Sequence, residues 1–223
     1  MSYIRQGRLF SFEEFVEEED DNTRLILVLD ALPDHRLIGW LESTRKGRRD
    51  DYGLEMMWKC VVAKFVYQIK TYAELIRELK RNGSLRRLVG IPSIGTVPKK
   101  YHFSRFLRKL SHREGLRHLR EMFEEFVQQL AEKIPCFGKH LAIDGTAIHA
   151  YSSESRRKKS DTDAEWGARK KRKKDGIKAA EYWLGYIGHF VVDCDTELPV
   201  AFDVQPANDS ETKSMKPMPK DLK

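Results

Sequence analysis

Long apolar runs are missing from this chain. The longest uninterrupted one is Leu25-Ile26-Leu27-Val28-Leu29. A helix needs about 20 apolar residues to cross a bilayer, so no membrane span is expected. Cysteine is scarce. Cys60, Cys136 and Cys194 are widely scattered and match neither a disulfide framework nor a zinc spacing. They read as packed or incidental thiols in a reducing cytoplasm. No charged-then-apolar leader opens the chain, since Met1 to Gln6 runs into polar sequence, so no signal peptide is expected. There is no internal repeat. Acid is in deficit: 41 Lys and Arg stand against 34 Asp and Glu, for a net charge of +7 and a pI near 9.2. That balance favours a polyanionic partner. With a membrane set aside, nucleic acid remains.

What is present suffices for one large domain or two small ones. The chain has 223 residues, 40% of them hydrophobic, so a packed core can form. The charge is uneven. Glu13, Glu14, Glu17, Glu18, Glu19, Asp20 and Asp21 make the start acidic, and read as a solvated helix face with Phe12, Phe15 and Val16 turned inward. Arg36, Arg45, Lys46, Arg48 and Arg49 begin a basic trend that runs on from there.

Residues 24 to about 134 read as helical. Leu54, Met57, Trp58, Val61, Val62, Phe65 and Ile69 recur at three and four, the apolar face of one helix. Thr71-Tyr72-Ala73-Glu74 is a capping-box pattern opening the next, and Asn82-Gly83 stops it. Ser84 is placed to cap a short helix ending near Gly90. A further helix over Lys99–Leu110 carries Lys99, Lys100, Arg105, Arg108 and Lys109. Coming after two shorter helices, it reads either as a helix-turn-helix-like DNA reader or as the solvated basic face of a bundle helix. Leu116, Leu119, Met122, Phe123, Phe126, Val127 and Leu130 mark a long amphipathic helix closed by Pro135.

At Pro135-Cys136-Phe137-Gly138 the pattern changes to strands, so the expected domains are 1–134 and 135–223. Strands are expected at about 139–150, 182–193 and 198–205. Cys194-Asp195-Thr196-Glu197 joins the last two as an antiparallel hairpin. Between the first two lies an expected loop, 152–180. It carries Arg156, Arg157, Lys158 and Lys159, then Arg169, Lys170, Lys171, Arg172, Lys173 and Lys174. It reads either as a phosphate-binding segment or as a solvated one.

Asp144 is the sharpest candidate for chemistry. It sits inside the apolar run Leu141-Ala142-Ile143-Asp144-Gly145-Thr146-Ala147-Ile148. A carboxylate there needs a reason to be desolvated. A bound divalent ion supplies one, since carboxylate oxygen is a hard ligand suited to magnesium, and a central strand would mount it rigidly. Gly145 leaves room for a phosphate backbone, although an isolated Asp-Gly pair is more often a turn. His140, His149 and His189 lack companion spacing and read as core or hydrogen-bonded histidines. Trp40, Trp58, Trp166 and Trp183 read as packing residues.

The order of these elements resembles the DDE transposases of bacterial insertion sequences. Asp144-Gly145-Thr146 matches the position of the family's first catalytic aspartate. Asp163-Ala164-Glu165-Trp166-Gly167 is similar to the acidic-Trp-Gly element that follows. Gly185-Tyr186 and His189 match a Gly-Tyr-Lys-x-His strand, with Ile187 in place of the Lys. Leu198 to Asn208 matches the third strand and its exit. Asp34-His35-Arg36-Leu37 and Phe103-Ser104-Arg105-Phe106-Leu107-Arg108-Lys109-Leu110 look like the start and close of the family's N-terminal domain.

The resemblance covers about residues 30 to 210. It implies an α+β chain: an N-terminal helical DNA-binding domain, then the beginning of an RNase H-like α/β domain. The family's catalytic centre holds Mg2+ or Mn2+ on three carboxylates, from the first strand, the fourth strand and a later helix. Only the first, Asp144, has a counterpart here. Asp193, Asp195, Asp203, Asp209 and Glu211 read as turn and cap residues. The expectation is therefore a truncated or interrupted transposase that binds double-stranded DNA, with a homodimer as a further partner. The alternative is a non-catalytic protein that occupies transposon ends and inhibits transposition.

Overall fold

The computed structural model describes residues 21–45, 52–150, 161–172 and 178–208, with the backbone alone for 170–172 and 178–179. The expected acidic helix around Phe12, Phe15 and Val16 lies outside these residues. So do Arg48, Arg49, Arg156 to Lys159, Lys173, Lys174, Asp209 and Glu211. The chain divides into two compact units, Met1–Phe126 and Val127–Lys223.

The first unit is helical. Its elements are α1 (Asp21–Ala31), α2 (His35–Ser43), α3 (Leu54–Val66), α4 (Tyr72–Arg81), α5 (Gly83–Leu88), a 3-10 turn (Ile94–Thr96), α6 (Lys100–Leu110) and the start of α7 (Arg113–Lys133). α3 is the central helix. Met57, Trp58, Cys60, Val61, Val62 and Ala63 are buried, packed with Leu25, Leu37, Leu41, Leu75, Leu79, Leu85 and Phe103. Burying a side chain of this size is worth about 1.5–3 kcal/mol, so this cluster holds the unit together. Trp58 ties α3 to the start of α2, its Nε1 donating to Asp34 Oδ2 at 2.9 Å. Burial in the same core pushes the Cys60 thiol up to about 12.

The expected α4 cap is present. Glu74 N donates to Thr71 Oγ1 at 3.2 Å, and Thr71 N donates to Glu74 Oε2 at 3.1 Å. Three details differ. Asn82, not Ser84, caps α5, because its Oδ1 accepts from Leu85 N at 3.0 Å while the residue also closes α4. Phe65, in the last turn of α3, is 69% exposed rather than inward, while its neighbour Val66 packs against the core. Leu116, near the start of α7, is 54% exposed. Among the described residues, no helix is long and apolar enough to cross a membrane.

In the second unit, β1 (Leu141–His149), β2 (Glu165–Arg172), β3 (Lys178–Asp193) and β4 (Pro199–Pro206) form one antiparallel sheet. β3 is its spine. Gly185 pairs with both His149 and Glu165, and Tyr186 with both Ile148 and Pro206. β1 therefore runs along one edge of β3, and β2 and β4 share the other. The expected hairpin between the last two strands is present, closed by Asp193 N donating to Leu198 O and Glu197 N to Asp193 O. The expected loop 152–180 is not all loop. β2 and the start of β3 occupy much of it, because β3 extends past its β1 and β4 partners and pairs there with β2.

Candidate functional site

Asp144 stands on β1, opposite Phe190 of β3, which pairs in turn with Phe202 of β4. Cross-strand partners share a sheet face, so the carboxylate lies on the face that carries two phenyl rings, themselves 6.5 Å apart. Its Oδ1 accepts the Gly145 N–H at 2.8 Å. Two expectations are corrected here. β1 is an outer strand of this sheet, not a central one. Asp144 is exposed, not desolvated, and its neighbours Leu141 and Ile143 are 40% and 46% exposed. The physical reason is that no described element packs over β1, so apolar neighbours in sequence leave the carboxylate in water.

The opposite face carries the row Gly145, His189, Asp203. A Cβ on Gly145 would stand 3.6 Å from His189 Nδ1. The imidazole is half-buried, and its Nε2 is shielded with no hydrogen-bond partner among the described residues. It is a packed histidine, as expected. His140 is exposed beside Asp195, Nδ1 to Oδ2 3.4 Å. No group of three or more His, Cys, Asp or Glu side chains able to hold a metal occurs among the described residues.

The remaining motif residues brace the sheet. Gly185 has φ +154°, and a Cβ there would fall 2.0 Å from Ile148 O and 2.8 Å from Ala150 N. Only glycine lets β1 and β3 approach so closely. The Trp183 ring lies over Gly167, where a Cβ would come within 2.5 Å of it, and Trp183 Nε1 donates to Tyr186 O at 3.0 Å. Trp166, expected as a packing residue, is instead 37% exposed. Tyr186 donates its hydroxyl to Asp161 Oδ1 at 2.7 Å. Burial, followed by that bond to an acid, pushes the phenol up to about 12. Asp193 is fully buried at the end of β3. Its Oδ1 accepts from Gly138 N, and its Oδ2 from Thr196 N and Oγ1. The Thr196 hydroxyl, then these backbone N–H groups, hold its pKa below the ordinary carboxylate range. This is the turn role expected of it.

Asp161 was missed as a partner for Tyr186. The bond spans 25 residues, and only the acidic character of the segment before Trp166 hints at it.

In the helical unit, Lys99 at the N-cap of α6 and Lys100, Arg105 and Arg108 within it are exposed, while Phe103, Phe106 and Leu110 are buried. Lys109 is committed elsewhere. Its Nζ donates to Leu41 O at 3.0 Å and lies 5.9 Å from the Trp40 ring, and partial burial lowers its pKa. The α5–α6 connection runs from Val89 to Lys99. A helix-turn-helix uses a turn of about three or four residues, so α6 is not presented in that way.

Two family models match the chain. A transposase domain (DUF772) matches residues 10–109, and a transposase DDE domain matches residues 135–223. The chain belongs to the DDE transposases of insertion sequences. The helices followed by an antiparallel sheet are the α+β arrangement expected, and the second match makes that part RNase H-like. Members of the family bind DNA and use a divalent metal. The chain matches no curated protein and no solved structure.

Proposed function

We propose that this transposase chain binds double-stranded DNA through the exposed cations of α6 and through the basic segment around β2. In this reading Asp144 is the carboxylate that faces the divalent ion and the DNA phosphate. The observation that carries it is the place of Asp144: an exposed acid on the first strand of the sheet in the DDE-matching segment. The described residues do not make a divalent-ion site by themselves. They gather no set of three donors, and magnesium sites on DNA-processing enzymes combine one or two carboxylates with phosphate oxygens. Cleavage and strand transfer on a pair of metal ions need further carboxylates beside Asp144.

The same observation favours a second reading, in which the chain occupies transposon ends without cutting them. One pair of measurements separates the two. Fluorescence anisotropy with duplex DNA over a salt series should show affinity falling steeply, since each neutralised phosphate adds about 0.9 to the logarithmic slope. No binding at low salt would overturn both readings. Calorimetry with Mn2+ on the DNA complex should show weak binding for the intact chain. Micromolar binding lost in Asp144→Ala would show that the chain completes its own centre, and would exclude the non-catalytic reading.

A further inference from the structure

β2 and the first half of β3 form a two-stranded ribbon in unbroken register, from Glu165 opposite Gly185 to Arg172 opposite Lys178. β1 pairs with β3 only from Gly185 onward, and β4 only from Tyr186. Among the described residues, the ribbon therefore extends beyond the rest of the sheet as two strands alone. It is slender, with Gly167, Ala168, Ala179 and Ala180 along it. It is also basic. β2 holds four consecutive cationic positions, 169 to 172, and Lys178 follows on β3, against Glu165 and Glu181. Arg169 is exposed opposite Glu181, which offsets one charge. Successive strand positions alternate between faces, so the basic positions of β2 fall on both faces of the ribbon. Basic positions that alternate along the strand suit a cleft walled by phosphates on either side better than a flat phosphate surface.

We propose that this ribbon enters the major groove of double-stranded DNA. The groove is about 12 Å wide and admits a two-stranded ribbon, whose strands lie about 4.8 Å apart. β2 has 8 residues, about 26 Å at roughly 3.3 Å per residue, which covers seven or eight base pairs at about 3.4 Å each. The root of the ribbon is braced by the Trp183 ring over Gly167 and by the Tyr186–Asp161 bond. The root of the ribbon is thus anchored in the sheet. The proposal rests on the DNA-binding reading above and adds the groove and the element that fills it.

The test uses the full chain and duplex DNA. Methylating guanine N7, which faces the major groove, should weaken binding within a window of seven or eight base pairs, and netropsin in the minor groove should not compete. Replacing residues 169 to 172 with alanine should flatten the logarithmic salt slope by about 3 to 4. Ala179→Pro combined with Ala180→Pro keeps every charge. Successive N–H groups on a strand point to opposite sides, so one of the two must face β2, and the pair of prolines breaks the ladder. Affinity should then fall at least tenfold. Unchanged affinity with the prolines, or no N7 interference together with netropsin competition, would overturn the groove proposal while leaving DNA binding intact. If the prolines unfold the sheet, judged by circular dichroism, the N7 experiment on the unaltered chain still decides.

Discussion

Gly185→Ala is the most demanding test of the sheet geometry. The added methyl carbon would stand 2.0 Å from Ile148 O and 2.8 Å from Ala150 N. An ordinary contact between carbon and a carbonyl oxygen is about 3.4 Å, so β1 and β3 must part by roughly 1.4 Å at this point. That movement breaks the bond from Ala150 N to Leu184 O, now 2.9 Å, and disturbs the one from Ala207 N to Gly185 O, now 3.1 Å. Each such bond contributes about 1 kcal/mol net. The backbone adds its own cost, because φ +154° is a region essentially restricted to glycine, worth about 1–3 kcal/mol for other residues. The expected destabilisation is about 2–5 kcal/mol. With a urea slope of about 1–3 kcal/mol per molar, the unfolding midpoint should fall by at least ~0.7 M when followed by tryptophan fluorescence. Gly39→Ala is the control. It lies within α2, and a Cβ there meets nothing within 4 Å, so it should stabilise by roughly 0.5–1 kcal/mol. If Gly185→Ala stays within about 1 kcal/mol of the parent, the close approach of β1 to β3 is refuted.

The pH behaviour of the sheet follows from two groups. Tyr186 has its folded pKa raised to about 12, against about 10 in an unfolded chain. Its contribution is complete below pH ~10 and is lost as pH rises toward 12, so Tyr186→Phe should remove that alkaline step in a stability titration. Asp193 has a lowered folded pKa, so its contribution is present above the ordinary carboxylate value of about 3.9 and is lost as pH falls through its folded value. Asp193→Asn should make stability less dependent on pH below 4, and an unchanged acid limb would contradict the turn geometry. In the helical unit, Asp34→Ala leaves the Trp58 indole N–H without its 2.9 Å acceptor. It should cost about 1–3 kcal/mol and alter Trp58 emission, and a neutral result would show that solvent reaches that nitrogen.

The helical unit was legible because its information is local. A stripe at three and four residues marks the buried face of α3, and Thr71 with Glu74 announces the start of α4. The apolar residues misplaced there, Phe65 and Leu116, fall in the last turn of α3 and the first turn of α7. The sheet was less legible because its pairing is not local. Nothing in Arg169-Lys170-Lys171-Arg172 alternates between apolar and polar, so no strand period is visible. These residues become a strand because β3 is long enough to offer them a partner. Context set by pairing overrides intrinsic preference in strands. Asp144 failed differently. Leu141, Ile143 and Ile148 imply burial only if something packs on them, and the alternation of a strand does not say what does.

The motif residues divide by the work they do. Gly185 lets two strands meet, Gly167 seats Trp183, and Tyr186 reaches back to Asp161 across 25 residues. Each is consumed by the sheet, and its substitution should first be felt as lost stability. Asp144 is the exception. It accepts one N–H from its own neighbour and otherwise faces water, so the fold gives no structural reason for an acid at that position. An exposed carboxylate with no ion-pair partner among the described residues gains nothing for stability from its charge, and Asp144→Asn should leave the unfolding midpoint almost unchanged. That is the pattern expected of the carboxylate proposed above to meet the metal and the DNA phosphate. If Asp144→Asn instead destabilises the sheet by 1 kcal/mol or more, the residue is a structural turn acid like Asp193, and its assignment to the metal and the DNA phosphate fails.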